Sequence, residues 1–98
     1  MSVVIIGGHD RMNCTYKDIC KEYDCQAKVF TQPVANLETM IGDPDLIVLF
    51  TNPVSHKMVK TAKKQAKRKD IAIIQSHSGS GSALRNILSA SLHKKKAV

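Results

Sequence analysis

The sequence predicts one small α/β domain built on a four-stranded parallel sheet. Three observations predict it. Four short apolar runs alternate with four helix-like segments along 98 residues, an order that requires parallel strands joined by right-handed crossovers. The run Leu46–Phe50 is continuously apolar, as a strand covered on both faces must be. The length suits a single core of modest size and not two.

Each element can be justified in order. Residues 3–6 are β-branched and stop at Gly7-Gly8, which marks the first strand and its turn. Asp10 is placed to cap a helix reaching Tyr23, with Ile19, Cys20 and Tyr23 at helical spacing. Residues 27–31, Ala-Lys-Val-Phe-Thr, alternate as an edge strand does. Pro33 suits the first turn of a short helix with Leu37, Met40 and Ile41 inward, stopped by Gly42-Asp43-Pro44. After Leu46–Phe50, Asn52-Pro53 reads as a cap and first turn. The helix then runs to about Lys69, with Val54, Met58, Ala62 and Ala66 on one stripe. Residues 71–74 form the fourth strand. After the Gly/Ser segment 76–81 a last helix uses Leu84, Ile87 and Leu88. The domain spans residues 1–92, and 93–98 form a basic tail expected to fray.

Strand two is the most polar and belongs at an edge, so the simplest order is 2-1-3-4 with helices on both faces. This is a small Rossmann-like or flavodoxin-like sheet. Its connection reverses between strands one and three, and ligands of open α/β sheets sit at such a reversal, beyond the carboxyl ends of the strands.

Composition limits the function classes. Only 4% of residues are aromatic and none is Trp, so a large flat ligand needs aliphatic walls or a second subunit. No secretory signal is legible, and the longest apolar run is far below the ~20 residues of a membrane helix; the expected location is the cytoplasm. Cys14, Cys20 and Cys25 do not suggest a disulfide framework there. Cys14 falls in the first turn of helix one, and Cys20 reads as core. Their spacing is no recognised zinc or cluster pattern.

The net charge is +7 and unevenly spread: residues 50–98 carry eleven basic side chains and one acidic one. Such a field attracts nucleic acid, an acidic protein, phosphate or carboxylate. The basic stretch 57–69 has no interleaved aromatics, which argues against single-strand stacking. The same pattern also suits a solvated helix face.

Three of the four histidines follow strand ends: His9, His56 and His77. The ends of strands one and four are ~10 Å apart, with strand three between them. That gap lets two imidazoles approach one metal from opposite sides. Each His taken alone also reads as a polar loop residue. Two loops on the same edge are suited to an anion: Gly8 with Arg11 after strand one, and Ser80 with Arg85 after strand four. Asn52 follows strand three at that edge. Neither loop is a Walker loop, no nucleophile–base–acid set is legible, and an enzymatic role is not indicated.

Three blocks carry a family resemblance: Val-Val-Ile-Ile-Gly-Gly-His-Asp-Arg-Met, Pro-Asp-Leu-Ile-Val-Leu-Phe-Thr-Asn and His-Ser-Gly-Ser-Gly-Ser-Ala-Leu. Together they resemble the bacterial family catalogued as domain of unknown function 2325, over nearly the whole chain. The resemblance implies haem b binding, with a histidine of the final block as a ligand; here that residue is His77. His9 in the first block is the choice for the second ligand, with His56 or a thiolate as alternatives. Relatives often carry Cys just before the final His, where this chain has Ser76. Haem with two histidine ligands suits a sensor, carrier or redox regulator, Arg11 and Arg85 suit the propionates, and a homodimer sandwiching the haem edge is expected of so small an aromatic-poor domain. Two other readings use the same features: a module for a phosphorylated small molecule or nucleotide, and a nucleic-acid or partner adaptor acting through residues 57–69.

Overall fold

The computed structural model describes residues 2–32, 34–51 and 56–96, with side chains through residue 91. Four parallel strands, β1 (Ser2–Ile6), β2 (Gln26–Phe30), β3 (Leu46–Phe50) and β4 (Ala72–Ser76), form one sheet in the order β2-β1-β3-β4. The parallel directions are those the alternation of apolar runs implies, and the order is the one that follows from placing the polar strand two at an edge. Ile6 lies opposite Phe30 and Leu49, and Phe50 lies opposite Ser76. The carboxyl ends are therefore level, and the loops that follow them share one edge.

Alternation along the strands divides the core into two layers. Val3, Ile5, Leu46, Val48 and Phe50 face α1 (Asn13–Glu22) and α4 (Gly81–Lys96), where they meet Tyr16, Ile19, Cys20, Leu84 and Leu88. Val4, Ile6, Ile47 and Leu49 face α2 (Leu37–Ile41) and α3 (His56–Lys69), where they meet Leu37, Ile41, Met58, Ala62 and Ala66. All five residues of β3 are buried, and each large apolar side chain so placed contributes about 1.5–3 kcal/mol.

Several element boundaries and side-chain placements depart from the sequence reading, each for a local reason. Asp10 does not cap α1. A 3-10 turn, Asp10–Met12, precedes that helix, its cap residue is His9, and no side chain makes a cap hydrogen bond there. The Asp10 carboxylate instead accepts hydrogen bonds from Thr31 and Gln32 beyond β2. Met40 is not inward: it is 44% exposed, while Leu37 and Ile41 are buried. A helix of five residues presents only one i, i+4 pair to the core, and Met40 overhangs the edge strand β2, where Lys28 Nζ donates to its carbonyl.

Ile71 lies in the turn that closes α3, outside both the helix and β4. Its N–H donates to the Ala66 carbonyl at 2.8 Å, with Asp70 at φ 55° making the turn. β4 accordingly starts one residue later and extends to Ser76, paired with Phe50. Helix α4 continues to Lys96, through part of the segment assigned to a tail. Pro33, Pro53 and Val54 lie outside the described residues. No described helix is long and apolar enough to cross a membrane.

Candidate functional site at the carboxyl edge

The loops after β1 and β4 meet although β3 separates their strands. Gly7 and Gly8 adopt φ of 97° and 83°, a conformation open to glycine at little cost. The Gly7 N–H donates to the Phe30 carbonyl at 2.9 Å, which ties the turn to β2. These two turns bring Gly8 over the ring of Tyr16, a fully buried side chain near the start of α1. From there the Tyr16 hydroxyl donates to the carbonyl of Gly79 in the other loop. A Cβ on Gly8 would collide with the Tyr16 hydroxyl. One on Gly79 would stand 2.9 Å from that hydroxyl and 3.4 Å from the Gly8 Cα. Both loops therefore present only backbone where they touch. Phe50, at the end of β3, packs its ring 5.2 Å from that of Tyr16 and forms the floor below.

His9 follows Gly8 directly, and His77 precedes Gly79 by two residues. His9 has extended backbone (φ −92°, ψ 146°), and its carbonyl accepts the Met12 N–H at 2.9 Å. Its imidazole is exposed. His77 follows β4 directly and is also exposed. The backbone before it is held by the Thr51 N–H donating to the Ser76 carbonyl at 2.8 Å. The backbone after it is held by Ser76 Oγ donating to the Ser78 carbonyl at 3.0 Å. His56, also exposed, opens the described part of α3, on the opposite face of the sheet from α1 and α4. Among the described residues, no three His, Cys, Asp or Glu side chains gather around a metal-sized site.

The anion candidates separate. Arg11 is exposed within the 3-10 turn. Arg85 is engaged elsewhere: Nη1 donates to Glu22 Oε2 at 2.5 Å and Nη2 to Oε1 at 3.3 Å, joining α4 to the end of α1. Its planar fork is thereby occupied. Ser80 caps α4, its Oγ accepting the Ala83 N–H at 3.2 Å. Asn52 lies outside the described residues. Asp10 contributes a fixed negative charge beside His9. The Thr31 hydroxyl first and the Gln32 amide second hold its carboxyl below the usual value of 3.8, and the neighbouring His9 acts in the same direction.

Sequence reasoning missed two features. Tyr16 is the pivot of the junction, yet it has no signature beyond its helical spacing from Ile19 and Cys20. A groove of about 340 Å³ lies between α2 and the start of α3, with Val34, Leu37 and Met58 as apolar lining and Lys57 and Glu38 as charged lining. Its residues come from segments that look unrelated in the sequence.

Comparison with known proteins bears on this geometry. The model of the family described as an uncharacterized protein conserved in bacteria, domain of unknown function 2325, matches residues 2–91. The chain belongs to this family. The match includes every strand and both loops of the junction, so Gly8, His9, His77 and Gly79 all fall within the domain of unknown function 2325. No curated protein matches the sequence.

Two solved structures share the fold. A de novo designed Rossmann fold protein is 14% identical, with a TM-score of 0.63 over 92% of this chain and 96% of its own. The lactose-specific IIB component domain of the phosphoenolpyruvate:carbohydrate phosphotransferase system from Streptococcus pneumoniae is 15% identical, with a TM-score of 0.57 over 95% of each chain.

Proposed function

We propose that this domain binds haem b at the junction of the β1 and β4 loops and serves as a haem sensor, carrier or redox regulator. His77 is the first axial ligand and His9 the second. The observation that carries the reading is the contact of Gly8 with Gly79 above Tyr16, which joins the two loops bearing these imidazoles. Both histidines lie within residues 2–91, the span that the family shares.

The residues present fit the polar requirements of the group. Two exposed imidazoles supply nitrogen donors, and Arg11 supplies a cation for a propionate. With Arg85 held by Glu22, Arg11 takes the propionate role. Apolar walls are the element one copy lacks. Among the described residues the exposed large apolar side chains are Val34 and Met40, in and just before α2. A homodimer that closes over the haem supplies the second wall. When bound, haem supplies a redox-active iron whose potential responds to its axial ligands and to burial. The chain itself holds the backbones that carry both rings, ties their loops together through the Tyr16 hydroxyl and places Asp10 beside His9.

Absorption spectra of protein supplied with haem test this. The expected result is a Soret band of a six-coordinate species that is lost or strongly weakened in His77→Ala and shifted toward five-coordinate in His9→Ala. An unchanged spectrum in His77→Ala rejects the ligand assignment. One feature favours a second reading, a phosphorylated small molecule: the Ser78–Ser82 segment meets the start of α4, where Ser80 holds the first turn. A colourless protein whose melting temperature rises with a sugar phosphate would support that reading over haem.

A further inference from the structure

The outer face of α3 carries a charge pattern that the edge site does not use. The helix contains Lys57, Lys60, Lys63, Lys64, Lys67, Arg68 and Lys69 and buries Met58, Ala62, Gln65 and Ala66. At 3.6 residues per turn, Lys57, Lys60, Lys64 and Lys67 form one row, roughly opposite the buried stripe. All four are exposed, as is Lys63 beside them. Arg68 pairs with Glu38 at 3.1 Å and Lys69 with Asp43 at 3.6 Å. The five lysines make no ion pair among the described residues. Local acids thus neutralise the foot of the helix and leave the row above it uncompensated.

We infer that this lysine row is a docking surface for the phosphate backbone of double-stranded nucleic acid. From Lys57 to Lys67 the row is ~15 Å long, which matches about four phosphates of one strand at ~3.4 Å of duplex axis each. Three properties of the face select this partner. It has no aromatic platform, since Tyr16, Phe30 and Phe50 are buried in the core and Tyr23 sits at the end of α1; single strands bind through such platforms. It has no exposed apolar anchor between the lysines, whereas the centre of a protein interface is depleted in lysine and enriched in apolar and aromatic side chains. Its charge is also of one sign along the whole row, the pattern that suits sequence-independent contact with a polyanion.

The inference is independent of the haem reading and is tested on haem-free protein by fluorescence anisotropy with a random-sequence DNA duplex. Contacts to four phosphates give a slope of log affinity against log salt of about −3.6, a loss of roughly a hundredfold between ~50 and ~200 mM salt. Two variants carry the same change in net charge: Lys60→Gln/Lys64→Gln/Lys67→Gln, and Lys17→Gln/Lys21→Gln/Lys28→Gln on α1 and β2. The first should lower the magnitude of the slope by about 2.7, and the second should leave it nearly unchanged. Circular dichroism confirms that both variants fold. Equal losses in the two variants would overturn the assignment to α3, because net charge alone would explain binding. Tighter binding of a single strand or of polyglutamate than of the duplex would overturn the choice of partner, as would no binding at ~50 mM salt.

Discussion

The hydroxyl of Tyr16 donates to the carbonyl of Gly79, 63 positions later in the chain. This bond fastens the β4 loop to the first turn-and-a-half of α1 and sets how closely the two glycine loops approach. Tyr16→Phe should cost about 0.5–1.5 kcal/mol from the lost bond, read as a lower urea midpoint with an unchanged slope. Amide exchange should rise first in the loop around Gly79. Uniform exchange rates in that loop would show that the bond does not restrain it.

Gly8 and Gly79 touch the same hydroxyl for different reasons, and substitution separates them. Gly8→Ala meets both the Tyr16 hydroxyl and a positive φ of 83°, so it should cost about 1–3 kcal/mol or more in any background. Gly79 is not among the glycines at positive φ. Its substitution is opposed chiefly by the contact at 2.9 Å. Gly79→Ala should therefore be destabilising in the wild type and substantially milder in Tyr16→Phe. The coupling in that double-mutant cycle should be roughly 0.5–3 kcal/mol, measured by chemical denaturation. Strict additivity would place the clash elsewhere.

Alkaline stability should reflect α1. Burial, followed by the nearby Cys25, pushes the Cys20 thiol up from 9.0 to about 11, and burial raises Tyr16 above 10.0. Both folded values exceed the unfolded ones, so the folded state holds its protons longer. Their contribution is complete below pH 9 and declines as pH rises toward 11. The urea midpoint of the wild type should fall across that window, and Cys20→Ala should flatten the fall. An equally steep decline in the variant would remove Cys20 as its source.

Acid behaviour runs the other way. The Asp10 carboxyl is held below 3.8 by Thr31 first and Gln32 second. Its contribution is present above the unfolded value and is lost as pH falls through the lowered folded one. A carbon-13 carboxyl titration should show Asp10 protonating late, and Thr31→Val should raise its midpoint more than Gln32→Ala. The reverse order would make Gln32 the main partner.

The sheet was readable because β1 and β3 are continuous apolar runs whose two faces both need cover, and the helical stripe of Met58, Ala62 and Ala66 supplies that cover on one side. Boundaries shifted where backbone hydrogen bonds outrank hydropathy. Ile71 looks like a strand residue but lies in the turn that closes α3, and Ser76 looks like loop but pairs with Phe50. Strand-end positions placed His9 and His77 at the carboxyl edge, where both are exposed. The same reasoning could not foresee that Arg85 would turn to Glu22, because that choice depends on how α4 crosses α1. Gln65 was equally hidden: it lies within an otherwise apolar stripe and is buried with its amide donating to the Gly42 carbonyl.

The span of the Tyr16–Gly79 bond also sets a timetable for synthesis. Emerging from the ribosome, β1 and α1 appear early, but β1 remains half-paired until β3 follows some forty residues later. The junction closes only after β4 and its loop have emerged. A nascent or truncated chain ending before Gly79 can therefore collapse part of its core without assembling the edge where both loops meet. Loop closures of this length are also slow relative to local helix formation. The edge therefore takes shape only once the loop after β4 is present, and fragments from the amino-terminal half lack it.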